Sequence, residues 1–504
     1  PPPPLSRASP THLTTDVAAV PLLWVVPLAL YLLTFIIVFA RTPLIGREGA
    51  LRLLVLALIA YAMLQVVGEA ALPWVVSAGV LLAVFFLVVL ACHAQLESLK
   101  PAKAWLTEFY LWIAVGGVLG GAFNALAAPV LYQSAIEFQL MLAVSVALIL
   151  AARAQFRGAS PRLMLVVAVA CAVVPSLMER TGLFVPEGAL LRERNYYGVL
   201  TVQDALDIHT RMLTYGTTIH GVRDLSPGQA QVPSGYYRAS SPVYDVFAEV
   251  AKRPVVGNIA AIGLGVGAIS CHPTGGRALR FYEINPAVTR AAENPAYFAF
   301  LSDCGADYSV VHGDGRLKIG EAPAGAFDLL FLDAFSSDSI PVHLLTREAF
   351  AMYFDKLTAD GLLLIHITNR HLDLSPVVAN IAHSLGLTAI ERTVAAGGKG
   401  ASDRLNPRTH MVAVARRDQD FGSLVHQPGW QALPPPGDAR AWTARTDDGR
   451  TLLVVEAENV AGLKALARIL PHYKRRSYVV MKNAKTIDKG AWAPGPGPLT
   501  VRLD

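Results

Sequence analysis

Four short segments in the second half of the 504-residue chain bring glycine and acid to the ends of apolar runs. AAIGLGVGAIS carries Gly263, Gly265 and Gly267, FYEINP carries Glu283, HGDG carries Asp314 and Gly315, and LDAFSSDSIP carries Asp333 and Asp338. Closely spaced glycines after a strand let a ligand approach the backbone. Glu283 follows Gly263 by 20 residues, the spacing at which a carboxylate reaches ribose hydroxyls. A dehydrogenase shares that much but does not need acids at 314 and 333 as well. An enzyme handling a nucleoside sulfonium does, because one acid accepts a bond from the adenine amino group and another faces the reacting carbon. Where such a carbon is attacked by a group that gives up a proton, a carboxylate can take that proton. Asp333 is the candidate base, its alternative being a helix cap. Asp338 fits capping or gating.

These residues need strands to carry them. NIAAIGLG, ALRFYE, YSVVH, FDLLFLD and GLLLIHIT alternate with helical stretches such as REAFAMYFDKL and PVVANIAHSL, which predicts α/β structure with a doubly wound parallel sheet. Ligands of such sheets bind at the carboxyl ends of the strands. Ahead of it, RERNYYGVLTVQ and MLTYGTTIHGVRD predict a small β lead-in over 190–250, closing on a helix near 241–250. The Rossmann-like domain spans 251–420, with HMVAVA as its last strand after the loop AAGGKGASDRLNPR. PPPGDAR marks a linker into an appendage over 421–504, where TLLVVEA, ENVAGLKALARIL and RSYVVMKN suggest strand, helix and strand. Its basic run at 474–476 reads as a solvated turn.

The first part is different in kind. The chain is 53% hydrophobic and 16% charged, with mean hydropathy +0.42, too oily for a soluble enzyme and suited to a membrane part joined to a soluble one. Residues 1–180 hold ten Lys or Arg and seven Asp or Glu, against 33 and 31 in the remainder. The net charge of +5 is scattered and carries no nucleic-acid signal. After a proline-rich lead at 1–16, read as disordered, six apolar runs at 17–40, 51–67, 72–92, 105–131, 136–152 and 163–178 predict a transmembrane helical domain over 17–182. Gly116, Gly117, Gly120 and Gly121 predict close approach of another helix. Glu69, Glu137 and Glu179 fall at span ends, which favours anchoring over transport. Basic loops after the first, third and fifth runs are cytoplasmic by the positive-inside rule, which with six crossings puts the soluble part on the far side. Cytosolic supply of an adenosyl sulfonium argues for the cytoplasm, and that side is the expectation. Cys92 and Cys171 lie in apolar runs, and Cys271 and Cys304 lack ligand spacing, so buried or free thiols and no metal are expected. His366, His371 and His383 show no metal spacing and read as strand-end or surface residues.

The succession GLGVG, FYEINP, HGDG and LDAFSSDSIP resembles the polyamine aminopropyltransferases, the spermidine synthase family. TTDVAAVPLLWVVPLALYLLTF, FYLWIAVGGVLGGAFNAL and RNYYGVLTV resemble its membrane-fused bacterial branch, so the likeness covers about residues 11–420. It implies a methyltransferase-like sheet behind a small β domain, in a protein of the bacterial inner membrane. It also implies S-adenosylmethionine or its decarboxylated form as co-substrate, an amine as acceptor, and release of 5′-methylthioadenosine. By position, Glu283 would bind ribose, Asp314 the adenine edge, and Asp333 would lie beside the transferred group. Tyr237 stands where the family has a substrate-lining tyrosine, and His220 where it often has glutamine. Two departures matter: Val266 replaces an acid in the glycine loop, and two extra residues separate Asp333 from Asp338. A lyase or cyclase of S-adenosylmethionine, another enzyme using that cofactor, or a non-catalytic sensor or transporter therefore remain alternatives. Partners beyond the amine and the bilayer are open, a homo-oligomer among them.

Overall fold

The computed structural model describes residues 25–40, 44–67, 74–133, most of 137–149, 188–335 save 206–207, 216–217 and 230, then 340–369, 373–397, 406–433 and four strands between 439 and 490. The lead at 1–16, the sixth apolar run, Asp338, His371 and the basic run at 474–476 lie outside the described residues. Two compact units divide the chain, one of 1–374 with 388–431 and one of 375–387 with 432–504.

In the first unit the apolar part forms helices α1 (Val25–Phe39), α2 (Arg47–Val67), α3 (Trp74–Glu97) and α4 (Leu106–Ala122). The small side chains of Ala50, Ala57, Ala91 and Ala94 let α2 and α3 meet closely, with Leu54, Val84 and Val88 filling between. Among the described residues two helical stretches, Ala78–Glu97 and Lys103–Leu131, are long and apolar enough to cross a membrane. Among the described residues nothing lies within 4 Å of where side chains at 116, 117, 120 and 121 of α4 would stand. The stretch exposes Trp112 and Val118.

The lead-in is a four-stranded antiparallel meander of β1 (Ala189–Asn195), β2 (Gly198–Ala205), β3 (Thr210–Tyr215) and β4 (Thr218–Asp224). Helix α5 (Pro242–Ala251) follows, as the sequence predicts, with Pro242 in its first turn and Val243, Val246, Phe247 and Val250 buried. An eight-stranded sheet then takes the order β12-β10-β11-β9-β8-β5-β6-β7. Its centre is β5 (Asn258–Ile262), parallel to β6 (Leu279–Glu283) and to β8 (Phe327–Leu332). Strand β7 (Tyr308–His312) runs parallel beyond β6, and β9 (Leu357–His366) beyond β8. Strand β11 (Thr409–Ala415) runs antiparallel to β9, and β10 (Thr388–Val394) antiparallel to β11 and so in the direction of the parallel set, with the three-residue β12 (Trp430–Ala432) outermost. Every residue of β8 is buried, as the apolar run Leu329–Leu332 demands of a central strand, and its one acid, Asp328, is paired at 2.6 Å with buried Arg277. The order with β11 reversed is that of the methyltransferase-like Rossmann fold the sequence predicts.

The thiol expectation fails at one pair. Cys271 and Cys304 form a disulfide, with Cα atoms 5.0 Å apart, because the 3-10 turn Ala268–Cys271 lies against the short helix α6 (Phe300–Asp303). The Ser270 hydroxyl donates to the Phe300 carbonyl at 2.9 Å in the same contact. Cys92 is free. In the second unit, strands at Ala439–Arg445, Thr451–Ala457, Tyr478–Lys482 and Lys485–Gly490 make an antiparallel sheet. The first and last of these had no counterpart in the sequence reading, and the expected helix lies outside the described residues.

Candidate active site

Strand order reverses between β5 and β8, and the crevice above such a switch point is where ligands of this architecture sit. Gly263 leaves β5 and Asp333 leaves β8 side by side, the Asp333 N–H donating to the Ile262 carbonyl at 2.9 Å. Gly263 has φ +103°, and a Cβ there would run into the Asp333 carbonyl. Only glycine allows both the turn and the approach. Gly265, at φ +54°, also lines the crevice, with the His220 carbonyl 2.9 Å from where its Cβ would be. Gly267 does not line it and instead packs beneath Leu301.

The crevice holds a pocket of about 330 Å³ between the lead-in meander and the strand ends. Glu283, Asp314 and Asp333 line it together, and no lysine or arginine does so among the described residues. Glu283 is buried, its two oxygens accepting the N–H groups of Leu264 at 3.0 Å and Asn285 at 2.8 Å. Burial pushes its pKa up, against the pull of those two bonds. Asp314 caps helix α7 (Gly315–Gly320) through the Leu317 N–H at 3.0 Å, while its other oxygen lies 3.1 Å from His343 Nε2. Gly315 lines the pocket with its Cα against the Ile262 side chain. The His220 ring stands edge-on to Tyr215 at 5.9 Å. Val266 is turned away: it is 1% exposed and packs where Gly221 of β4 leaves room for it.

Asp333 is the most elaborately held of the three acids. Tyr237, in the 3-10 turn Gly235–Tyr237, bonds its Oδ2, and His366 Nδ1 lies 2.6 Å from its Oδ1. Burial, then the neighbouring carboxylate, holds the Tyr237 pKa well above its ordinary value, so its hydroxyl stays protonated and donates. His366 Nε2 is 2.7 Å from the Thr368 hydroxyl, whose oxygen accepts the His410 N–H at 2.8 Å. The rings of Tyr236 and Phe335 meet His366 edge-on, each at 4.9 Å.

Of the site residues read from the sequence, Asp338 lies outside the described residues, and of the other nine, eight line one pocket, Gly267 being the exception. His366 is the correction in the other direction. It ends β9, as one of the two readings has it, but it is 3% exposed and bonded to Asp333 rather than at the surface. The signal was present, since GLLLIHIT ends a strand as the acids do. Of the tyrosines near 196, Tyr196 is exposed while Tyr197 reaches the pocket. Among the described residues no three His, Cys, Asp or Glu come together to hold a metal.

No family model matches the sequence, and no curated protein is similar to it. Among solved structures, the spermidine synthase of Thermotoga maritima is 12% identical, with 49% of this chain and 80% of that one covered and a TM-score of 0.35. A probable spermidine synthase of Corynebacterium glutamicum is 14% identical over 49% and 90%, with a TM-score of 0.34. A spermidine synthase in complex with the transition-state analogue AdoDATO is 13% identical over 49% and 80%, also at 0.34. At these values the fold class rests on the strand order of the sheet, and the chemistry on the geometry of the pocket.

Proposed function

We propose that the protein is a membrane-anchored transferase that passes the alkyl arm of an adenosyl sulfonium to an amine. The observation that carries the reading is Asp333, a carboxylate at the switch point, lining the pocket between two donors. In the reaction a neutral amine attacks the carbon bonded to sulfur, and the carbon–sulfur bond breaks with its electron pair going to sulfur. Neutral 5′-methylthioadenosine leaves, and Asp333 takes the proton that the amine gives up. Glu283 would accept ribose hydroxyls with the lone pairs its two backbone bonds leave. Asp314 would meet the adenine amino group where His343 now stands.

Of the two forms of the sulfonium, the pocket suits the decarboxylated one. Three carboxylates line it and no lysine or arginine offers the α-carboxylate of S-adenosylmethionine a partner among the described residues. Two cationic reactants gain from that field. Competition between the two forms for the full chain tests the preference, which fails if S-adenosylmethionine binds as tightly as its decarboxylated form.

We further propose that the catalytic unit lies on the far side of the membrane, against the cytoplasmic expectation. The lead-in meander meets the stretch Lys103–Leu131 at its carboxyl end, where the Tyr196 hydroxyl lies 3.4 Å from the Leu126 carbonyl and Arg194 pairs with Glu137. Lys100 and Lys103 sit at the opposite end, the end the positive-inside rule keeps in the cytoplasm. The Cys271–Cys304 disulfide suits an oxidising compartment.

A further inference from the structure

Asp333 needs one oxygen free to take a proton, yet each of its oxygens already has a donor beside it. The two donors differ in a way that decides which oxygen that is. The Tyr237 hydroxyl is a rotor: it turns about one bond and can accept from Oδ2 as readily as donate to it. The His366 ring is not. Its position is set by the Tyr236 and Phe335 rings, by its place at the end of β9 beside β8, and by Thr368 at Nε2.

The hydrogen positions follow from what each partner can do. An ionised Asp333 only accepts, so at 2.6 Å the Nδ1 of His366 carries a hydrogen. Thr368 Oγ already receives the His410 N–H at 2.8 Å, and its own hydrogen has a near acceptor in Nε2 at 2.7 Å and a far one in the His410 carbonyl at 3.4 Å. The hydroxyl therefore donates to Nε2 and holds the proton of the ring on Nδ1.

We infer that His366 is the positioning residue of the site: it pins Oδ1 of Asp333 through Nδ1–H, leaving Oδ2 beside Tyr237 as the oxygen that receives the proton of the amine, with Thr368 setting the tautomer. The inference rests on the transfer reading for its chemistry. It runs the familiar order of a catalytic triad backwards, the acid being the base and the histidine its holder. Asp333 then has one defined face towards the pocket, and a proton arriving at Oδ2 leaves the bond at Oδ1 unbroken, because the carbonyl oxygen of a neutral carboxyl still accepts. Thr368 is no nucleophile in this arrangement, since its hydroxyl is engaged on both sides.

Turnover of decarboxylated S-adenosylmethionine with 1,4-diaminobutane by the full chain, and 15N spectra of its histidine-labelled form, test the inference together. His366→Ala is expected to lower kcat by about 10- to 100-fold, the scale at which supporting hydrogen bonds act, with KM nearly unchanged. His366→Asn, whose amide N–H reaches the place of Nδ1–H, should restore most of the loss. Thr368→Val should cost less than His366→Ala. The His366 resonance, assigned by its disappearance in His366→Asn, should show a protonated Nδ1. A His366→Ala variant with wild-type kcat, an asparagine that rescues nothing, a Thr368→Val as inactive as Asp333→Asn, or a bare Nδ1 would each overturn it. Failure of the transfer reading looks different: the wild type turns over nothing while Nδ1 stays protonated.

Discussion

Replacing Asp333 by asparagine keeps the shape of the side chain and removes its capacity to take a proton. Loss of a general base costs about 100-fold or more in kcat, and Asp333→Asn should show it while methylthioadenosine binding, read by calorimetry, stays close to wild type. Asp314 is engaged by His343 at 3.1 Å, so His343→Ala should free one oxygen for an adenine amino group and tighten nucleoside binding by a few-fold; weaker binding would mean that His343 is itself a contact. Val266 shows what sequence could not reveal. Set against the glycine loop of the family the sequence resembles, Val266 stands where an acid is expected. Its side chain instead fills the space above Gly221 at 1% exposure, so an aspartate there would be a buried charge without a partner. Val266→Asp should therefore lower the melting temperature sharply, at a cost of about 3 kcal/mol or more, rather than change which sulfonium binds. Glu283, Asp314 and Asp333 were legible because each ends a strand. The direction of Val266 was not, because the positive-φ glycines around it re-aim every side chain of the loop.

At the scale of elements, α5 and the turn after the glycine loop share a pH-sensitive contact. His272 is buried against the rings of Tyr244 and Phe247, and burial lowers its pKa from 6.5 to about 4. The folded form thus holds the ring neutral while the unfolded chain protonates it. The stability it contributes is complete above pH 6.5, falls as pH drops through the interval down to about 4, and has gone below it. At pH 5 the loss is about 2 kcal/mol relative to pH 7. Chemical unfolding at both values should show that difference in the wild type and a smaller one in His272→Phe; equal differences would place the acid sensitivity elsewhere. The parallel strands and helix α5 were readable from apolar runs and their punctuation. Strand β10, TAIERTV, was not, since its half-exposed, mixed-polarity pattern acquires meaning only from pairing with β11. The disulfide escaped for a similar reason, its cysteines lying 33 residues apart and meeting only when the turn packs on α6.

Over the whole molecule, the charge pattern, the docking of β1 at the far end of Lys103–Leu131 and the disulfide point to the same side of the membrane. Cytosolic supply of the co-substrate points to the other. An alkaline phosphatase fusion after Arg194 should be strongly active, and an inactive one paired with an active cytoplasmic reporter would return the catalytic unit to the cytosol. The six apolar runs predicted a membrane part, of which two helical stretches among the described residues are long and apolar enough to cross, but not its packing, since glycine spacing on α4 marks a surface that permits approach without saying what approaches. Chemistry at the switch point is open to one direct experiment. The full chain, incubated with decarboxylated S-adenosylmethionine and 1,4-diaminobutane, should release methylthioadenosine and an equal amount of the amine lengthened by one aminopropyl group, both read by mass spectrometry. Methylthioadenosine without the lengthened amine, or neither product from protein that binds the sulfonium, would contradict it.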